Sequence, residues 1–180
     1  YVGDYRGVPI ETWVFAKDRD KGFYDFAVPT KDVLAFYSEW IGPYAYEKLA
    51  NVQSNSVSGG MESASSIFYS ASSVVGDRNV RWRNVVIHEI AHQWWGQAVG
   101  GRNYHEQLLS EGFAQYFAAL YAEHHHGDQL FGSVLRHMRR WAIDASNEGP
   151  IYLGYRVGHL RGDSRAFRAI IYNKSALVLH

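Results

Sequence analysis

The hydrophobic period of this chain changes partway along, and that change restricts it to an α+β fold. Glu11 to Ala16, Gly22 to Val28, Val52 to Gly60 and Ser65 to Val75 are short, rich in aromatic and β-branched residues, and free of helical period, so each reads as a strand. One helix interrupts them. Val33, Leu34, Phe36, Tyr37, Trp40 and Ile41 recur at helical spacing from Thr30, which reads as the N-cap, to the Gly42-Pro43 stop. Beyond Val75 the pattern is helical throughout: a helix capped by Asp77 and ending at Gly96, then Glu106 to His126, Asp128 to Asp144 and Arg165 to His180. The expectation is one domain over 1–180, with a mixed, strand-rich portion over 1–76 and a helix-rich portion over 77–180. Its 180 residues suit a single core of ordinary size.

Composition narrows the function. Eighteen basic residues balance eighteen acidic ones, so nothing electrostatic draws the chain to nucleic acid or to an anionic membrane surface. No apolar run approaches the roughly 18 residues of a membrane span, so no direct membrane insertion is expected. With no cysteine, disulfides and thiolate metal sites are excluded, and any metal must be held by imidazole or carboxylate. The chain opens at Tyr1 without Met, and Ala169 to His180 reads as a helix with no Gly or Pro stop, which suggests a piece of a longer protein.

Such ligands occur in Val85-Val86-Ile87-His88-Glu89-Ile90-Ala91-His92-Gln93-Trp94-Trp95-Gly96. Helix positions four apart share a face, so His88 and His92 can offer their imidazoles to one ion, while Glu89 sits about 100° around from His88. Zinc suits neutral imidazole and carboxylate, and a catalytic zinc takes three protein ligands and leaves one position for water. Glu111, in Leu108-Leu109-Ser110-Glu111-Gly112-Phe113-Ala114, is the candidate third ligand; the eighteen residues between it and His92 allow a turn and an antiparallel return. Taken alone, a five-residue His-Glu-x-x-His match also arises by chance, both histidines then being ordinary helix residues. The spaced carboxylate on a second amphipathic helix favours one Zn2+ ion.

These residues, with Gly59-Gly60-Met61-Glu62 upstream and Tyr172-Asn173-Lys174-Ser175-Ala176-Leu177 downstream, resemble the gluzincin aminopeptidases typified by aminopeptidase N and leukotriene hydrolase. The resemblance runs from about Tyr37 to His180. It implies a thermolysin-like zinc metallopeptidase domain whose mixed sheet ends in an edge strand and whose helical half carries the metal, without the family's N-terminal β-domain and C-terminal helical domain. Those domains would be its partners in the parent protein, and its substrates peptides with a free N-terminus. The resemblance makes Glu89 the general base for water attack on the N-terminal peptide bond, and Tyr172 the hydroxyl donor to the oxyanion. It also makes Glu62 the carboxylate that meets the substrate ammonium, and has Gly59, Gly60 and Met61 line the first-residue pocket on a strand that pairs with substrate. Read singly, Tyr172 is a core aromatic and Glu62 a solvated edge charge.

Four positions depart from the family's usual residues: Ser63, Gln97 and Ser110 stand for Asn, and Ser175 for Gly. None is a proposed ligand or proton carrier; they bear on how those groups are oriented. His124-His125-His126 precedes Gly127 and reads as a helix end. Arg136, Arg139, Arg140, Arg156, Arg161, Arg165 and Arg168 read as solvated faces or ion pairs, with contact to an absent domain as the alternative. Trp94 and Trp95 read as core, and Asn173-Lys174-Ser175 is discounted as a glycosylation acceptor. Two other functions stay open: a thermolysin-like endopeptidase, whose cleft admits an extended chain, and a zinc-stabilised domain with little activity in isolation.

Overall fold

The computed structural model describes residues 1–76, 84–160 and 162–180. Its contacts cluster into two compact units, Tyr1–Ala98 and Val99–His180. The first unit carries a five-stranded mixed sheet of order β1-β2-β3-β5-β4. Strands β1 (Val2–Tyr5) and β2 (Val8–Trp13) form an antiparallel hairpin closed at Tyr5 and Val8. Arg6 and Gly7 both take positive φ, 50° and 87°, the pattern of a two-residue type I′ turn, whose twist matches that of the strands. Strand β3 (Leu49–Ser54) lies parallel to β2 and to β5 (Ser66–Ser70). The two-residue β4 (Gly60–Met61) pairs antiparallel with β5 at the sheet's end.

A parallel β2–β3 pair requires a long crossover, and residues 16–40 supply a helical one. It runs from a 3-10 turn through α1 (Arg19–Gly22) and the π-helical Phe23–Ala27 into α2 (Val28–Trp40). The strand expected over Gly22–Val28 is therefore absent, because burial overrides its aromatic β-propensity. Phe26 stacks on Tyr69 of β5 with ring centroids 4.7 Å apart. The buried Asp25 carboxylate accepts the Val75 and Gly76 N–H groups at 2.6 and 2.8 Å. Thr30 is no N-cap: the helix is already running, and its hydroxyl donates to the Phe26 carbonyl at 2.6 Å. The helix ends as expected, with Ile41 as C-cap before Gly42.

Three strand bounds also move. The expected Glu11–Ala16 strand lies as Val8–Trp13, the expected Val52–Gly60 strand divides into β3 and β4, and Ser65–Val75 shortens to β5, since only these stretches find ladder partners. Helix α3 (Asn84–Ala91) stops before Gly96, and Asp77, read as its cap, lies outside the described residues. Ile10, Leu49, Ile67, Phe26, Leu34, Tyr37 and Ile90 make the core of this unit. Trp94 joins it, donating its indole N–H to the Gly42 carbonyl at 2.9 Å, and Trp95 is half-buried.

The second unit is helical. A 3-10 segment (Tyr104–Leu109) leads into α4 (Glu111–His126), which Gly127 at φ 77° ends before α5 (Asp128–Asp144). Alanines 114, 118, 119 and 122 of α4 are buried, letting neighbouring helices approach closely. The helix expected over Arg165–His180 forms as α6 (Ser164–Phe167), a π-helical Arg168–Lys174 and α7 (Ser175–Leu179). Val157, Ala166, Ile170 and Ile171 form a core cluster with Phe167 and Tyr172 packed against it. No described helix is long and apolar enough to cross a membrane.

Candidate metal centre

In the first unit, His88 and His92 stand on successive turns, α3 ending at Ala91 but the His92 N–H still reaching the His88 carbonyl at 3.3 Å. Both rings are buried and their Nε2 atoms lie 3.1 Å apart. His92 Nδ1 is 3.0 Å from the Trp95 carbonyl, which can only accept, so Nδ1 carries the proton and Nε2 of the neutral ring presents a lone pair. Two nitrogens bound tetrahedrally at about 2.05 Å lie about 3.3 Å apart, so this pair fits a shared zinc ion.

Glu89 is buried and lies beneath β4. A methyl group placed on Gly60 would overlap its carboxylate carbon and Oε1, so only glycine lets the edge strand pass this close. The same carboxylate, after burial, raises the pKa of Tyr69, which sits fully buried and donates its hydroxyl to Asn51 Oδ1 at 3.1 Å. Gly59 takes φ 84° and its carbonyl accepts the Ser70 N–H at 2.8 Å. Met61 is half exposed and Glu62 half-buried, and the Glu62 carbonyl accepts the Gln97 side-chain amide at 2.9 Å. Glu62 thus stands on the chain leaving β4, the outermost strand of the sheet.

In the second unit, Glu111 is the first residue of α4, a place where a carboxylate complements the helix dipole. Tyr172 lies in the π-helical Arg168–Lys174, half-buried, its ring edge-on to Phe167 at 6.0 Å. Such π segments recur at functional sites.

The sequence of residues 25–180 matches the peptidase family M1 domain. The chain belongs to peptidase family M1. It is 32% identical to aminopeptidase B of Rattus norvegicus over 106 residues, which are 58% of this chain and 15% of the relative. It therefore spans only a small part of that protein's length. Among solved structures, an M1 zinc metallopeptidase of Deinococcus radiodurans matches 97% of the chain and 34% of its own length at 27% identity, with a TM-score of 0.61. The LTA4 hydrolase of yeast matches 99% of the chain and 29% of its own length at 19% identity, with a TM-score of 0.72, a likeness of fold alone.

Within this M1 chain the departures have definite surroundings. Gln97 reaches the Glu62 carbonyl, and the Ser175 hydroxyl donates to the Ile170 carbonyl at 3.2 Å while its Cβ faces Gly112. Asn173 is buried and donates to the Arg168 carbonyl at 3.2 Å, which accords with discounting it as a glycan acceptor. The histidine tract ends α4 with its rings exposed, His125 against Tyr121 at 4.2 Å. Arg136, Arg139 and Arg140 are exposed on α5, and Arg165 lies over the Trp141 ring; Arg161 is outside the described residues. Gln93, Asn51 and Tyr69, all buried around this site, are not among the residues that the sequence pattern singles out. Gln93 had one signal, a polar side chain in an otherwise apolar run directly after His92.

Proposed function

We propose that this chain is the catalytic portion of a zinc-dependent aminopeptidase that hydrolyses the N-terminal peptide bond of substrates with a free amino end. The observation that carries the proposal is the pair of facing imidazole nitrogens, 3.1 Å apart, with Glu89 on the intervening turn under an edge strand. His88, His92 and Glu111 would hold one Zn2+ ion. When bound, the ion supplies Lewis acidity that polarises the scissile carbonyl and makes water a nucleophile near neutral pH. Glu111 enters through its spacing from His92 and the family resemblance.

The chain's own groups divide the remaining work. Glu89 takes a proton from the attacking water on its carboxylate and returns it to the leaving amine nitrogen. Gly60 admits that carboxylate beside β4, and the end position of β4 in the sheet suits pairing with a substrate backbone. Glu62 receives the substrate ammonium, which limits cleavage to the first bond, with Gly59, Gly60 and Met61 around the first side chain. Tyr172 donates a hydrogen bond from its phenolic hydroxyl to the oxyanion. The N- and C-terminal domains of a longer protein are the proposed partners.

The test compares zinc content with hydrolysis of free-amino and acetyl-blocked aminoacyl substrates, with Glu89→Gln as control. Zinc with turnover confined to the free amine, and lost in the variant, supports the proposal. Cleavage of blocked peptides would make the chain an endopeptidase, zinc without turnover would make it a domain needing its neighbours, and absence of zinc would refute the site.

A further inference from the structure

Gln93 is 1% exposed, which for a side-chain amide demands hydrogen-bond partners on both its oxygen and its nitrogen. Both are supplied by one segment. Its Oε1 accepts the Ser65 N–H at 2.8 Å, and its Nε2 lies 3.4 and 3.3 Å from the carbonyls of Glu62 and Ser63. Four residues on, Gln97 donates to the Glu62 carbonyl at 2.9 Å. At the end of the gripped segment Ser65, whose N–H makes one of these contacts, holds φ 61°, a left-handed conformation that a non-glycine residue keeps only where its surroundings impose it. Two amides that follow His92 in the chain thus grip the backbone of residues 62–65.

We propose that Gln93 and Gln97 are positioning residues that set where the Glu62 carboxylate stands relative to His88 and His92, and so govern the preference for free over blocked amino ends; this rests on the aminopeptidase reading. Removing one residue from a peptide requires a fixed span between the group that meets the ammonium and the group that meets the scissile carbonyl. Here the two are joined through side-chain amides, which translate a shift of the turn after α3 into a shift of Glu62. Gln97 is the adjustable member, half-buried and one methylene longer than the Asn usual in the resemblance, so its loss is tolerated better than that of Gln93.

The test is equilibrium binding to the zinc-loaded full chain in a Glu89→Gln background, which prevents turnover. The ligands are free-amino tripeptides differing in their first residue and the N-acetyl form of the tightest. Zinc per chain and melting temperature are measured alongside. Replacing Gln97 by Met, or by Ala as a second variant, removes one hydrogen bond. It is expected to reduce the free-over-acetylated preference by about 3- to 10-fold while zinc content is retained. A preference that Glu62→Gln abolishes but both Gln97 variants retain at the parent value would overturn the inference and leave the aminopeptidase reading standing. A parent chain with no preference for the free amine would overturn both.

Discussion

Gly60 of β4 lies against the Glu89 carboxylate so closely that a side chain on the strand would overlap it. The proposed general base and the edge strand proposed to pair with substrate are therefore one packed arrangement. Gly60→Ala must displace either the strand or the carboxylate. A reduction in kcat of at least about tenfold is expected, since that needs only about 1.4 kcal/mol of lost transition-state stabilisation. Zinc content should hold. Zinc-replete Gly60→Ala with the parent's kcat would show that the close approach has no catalytic consequence.

His92 Nδ1 points at the Trp95 carbonyl, which orients the ring and leaves Nε2 as the atom proposed to hold zinc. Metal affinity should fall as pH falls, because protons compete with the ion for both imidazoles. His92→Ala should reduce zinc affinity by far more than tenfold, read by competition with a chromogenic chelator. Stripping the parent of zinc should lower its melting temperature, as a ligand that binds only the folded state must. An unchanged melting curve in excess chelator, with metal confirmed absent, would refute a structural contribution.

Burial, followed by the Glu89 charge, raises the pKa of Tyr69, and burial followed by Tyr46 raises that of Tyr44. A tyrosine whose folded pKa exceeds its unfolded value of about 10 contributes stability that is fully present below pH 10 and is lost as pH climbs towards the folded pKa. Stability should therefore decline above about pH 10. Tyr69→Phe should be less stable at neutral pH, having lost the hydroxyl bonded to Asn51, but should show a shallower alkaline decline. Chemical denaturation between pH 8 and about 11.5 measures both; parallel profiles for the two proteins would contradict the assignment.

Asp25 is fully buried, and one of its oxygens accepts two backbone N–H groups, from Val75 and Gly76. Asp25→Ala strands both donors and should destabilise the first unit by about 2 to 4 kcal/mol, reading each stranded group at about 1 to 2. Asp25→Asn retains an acceptor and should cost less. Urea unfolding orders the three proteins, and an Ala variant as stable as the parent would mean that water serves these amides equally well.

The parts legible in the sequence are those set by local spacing. His88, Glu89 and His92 stand on adjoining turns because three- and four-residue separations bring side chains onto neighbouring positions, whatever surrounds them. The α5 helix and the end of α4 follow from apolar period and from Gly127, whereas α4 starts at Glu111 and not at Glu106, behind a 3-10 segment. The parts decided by tertiary structure are those where packing outweighed propensity. Residues 22–28 have strand-forming composition but became helical once Asp25 and Phe26 found partners at Val75, Gly76 and Tyr69. Thr30 resembled a cap until the helix began before it. Gln93 and Gln97 gave no periodic signal of their contact with Glu62, since a hydrogen bond across some thirty residues depends on how strand and helix meet. Short-range geometry wrote the facing histidine pair into the sequence, whereas burial, which only the folded chain defines, set the strand and amides around it.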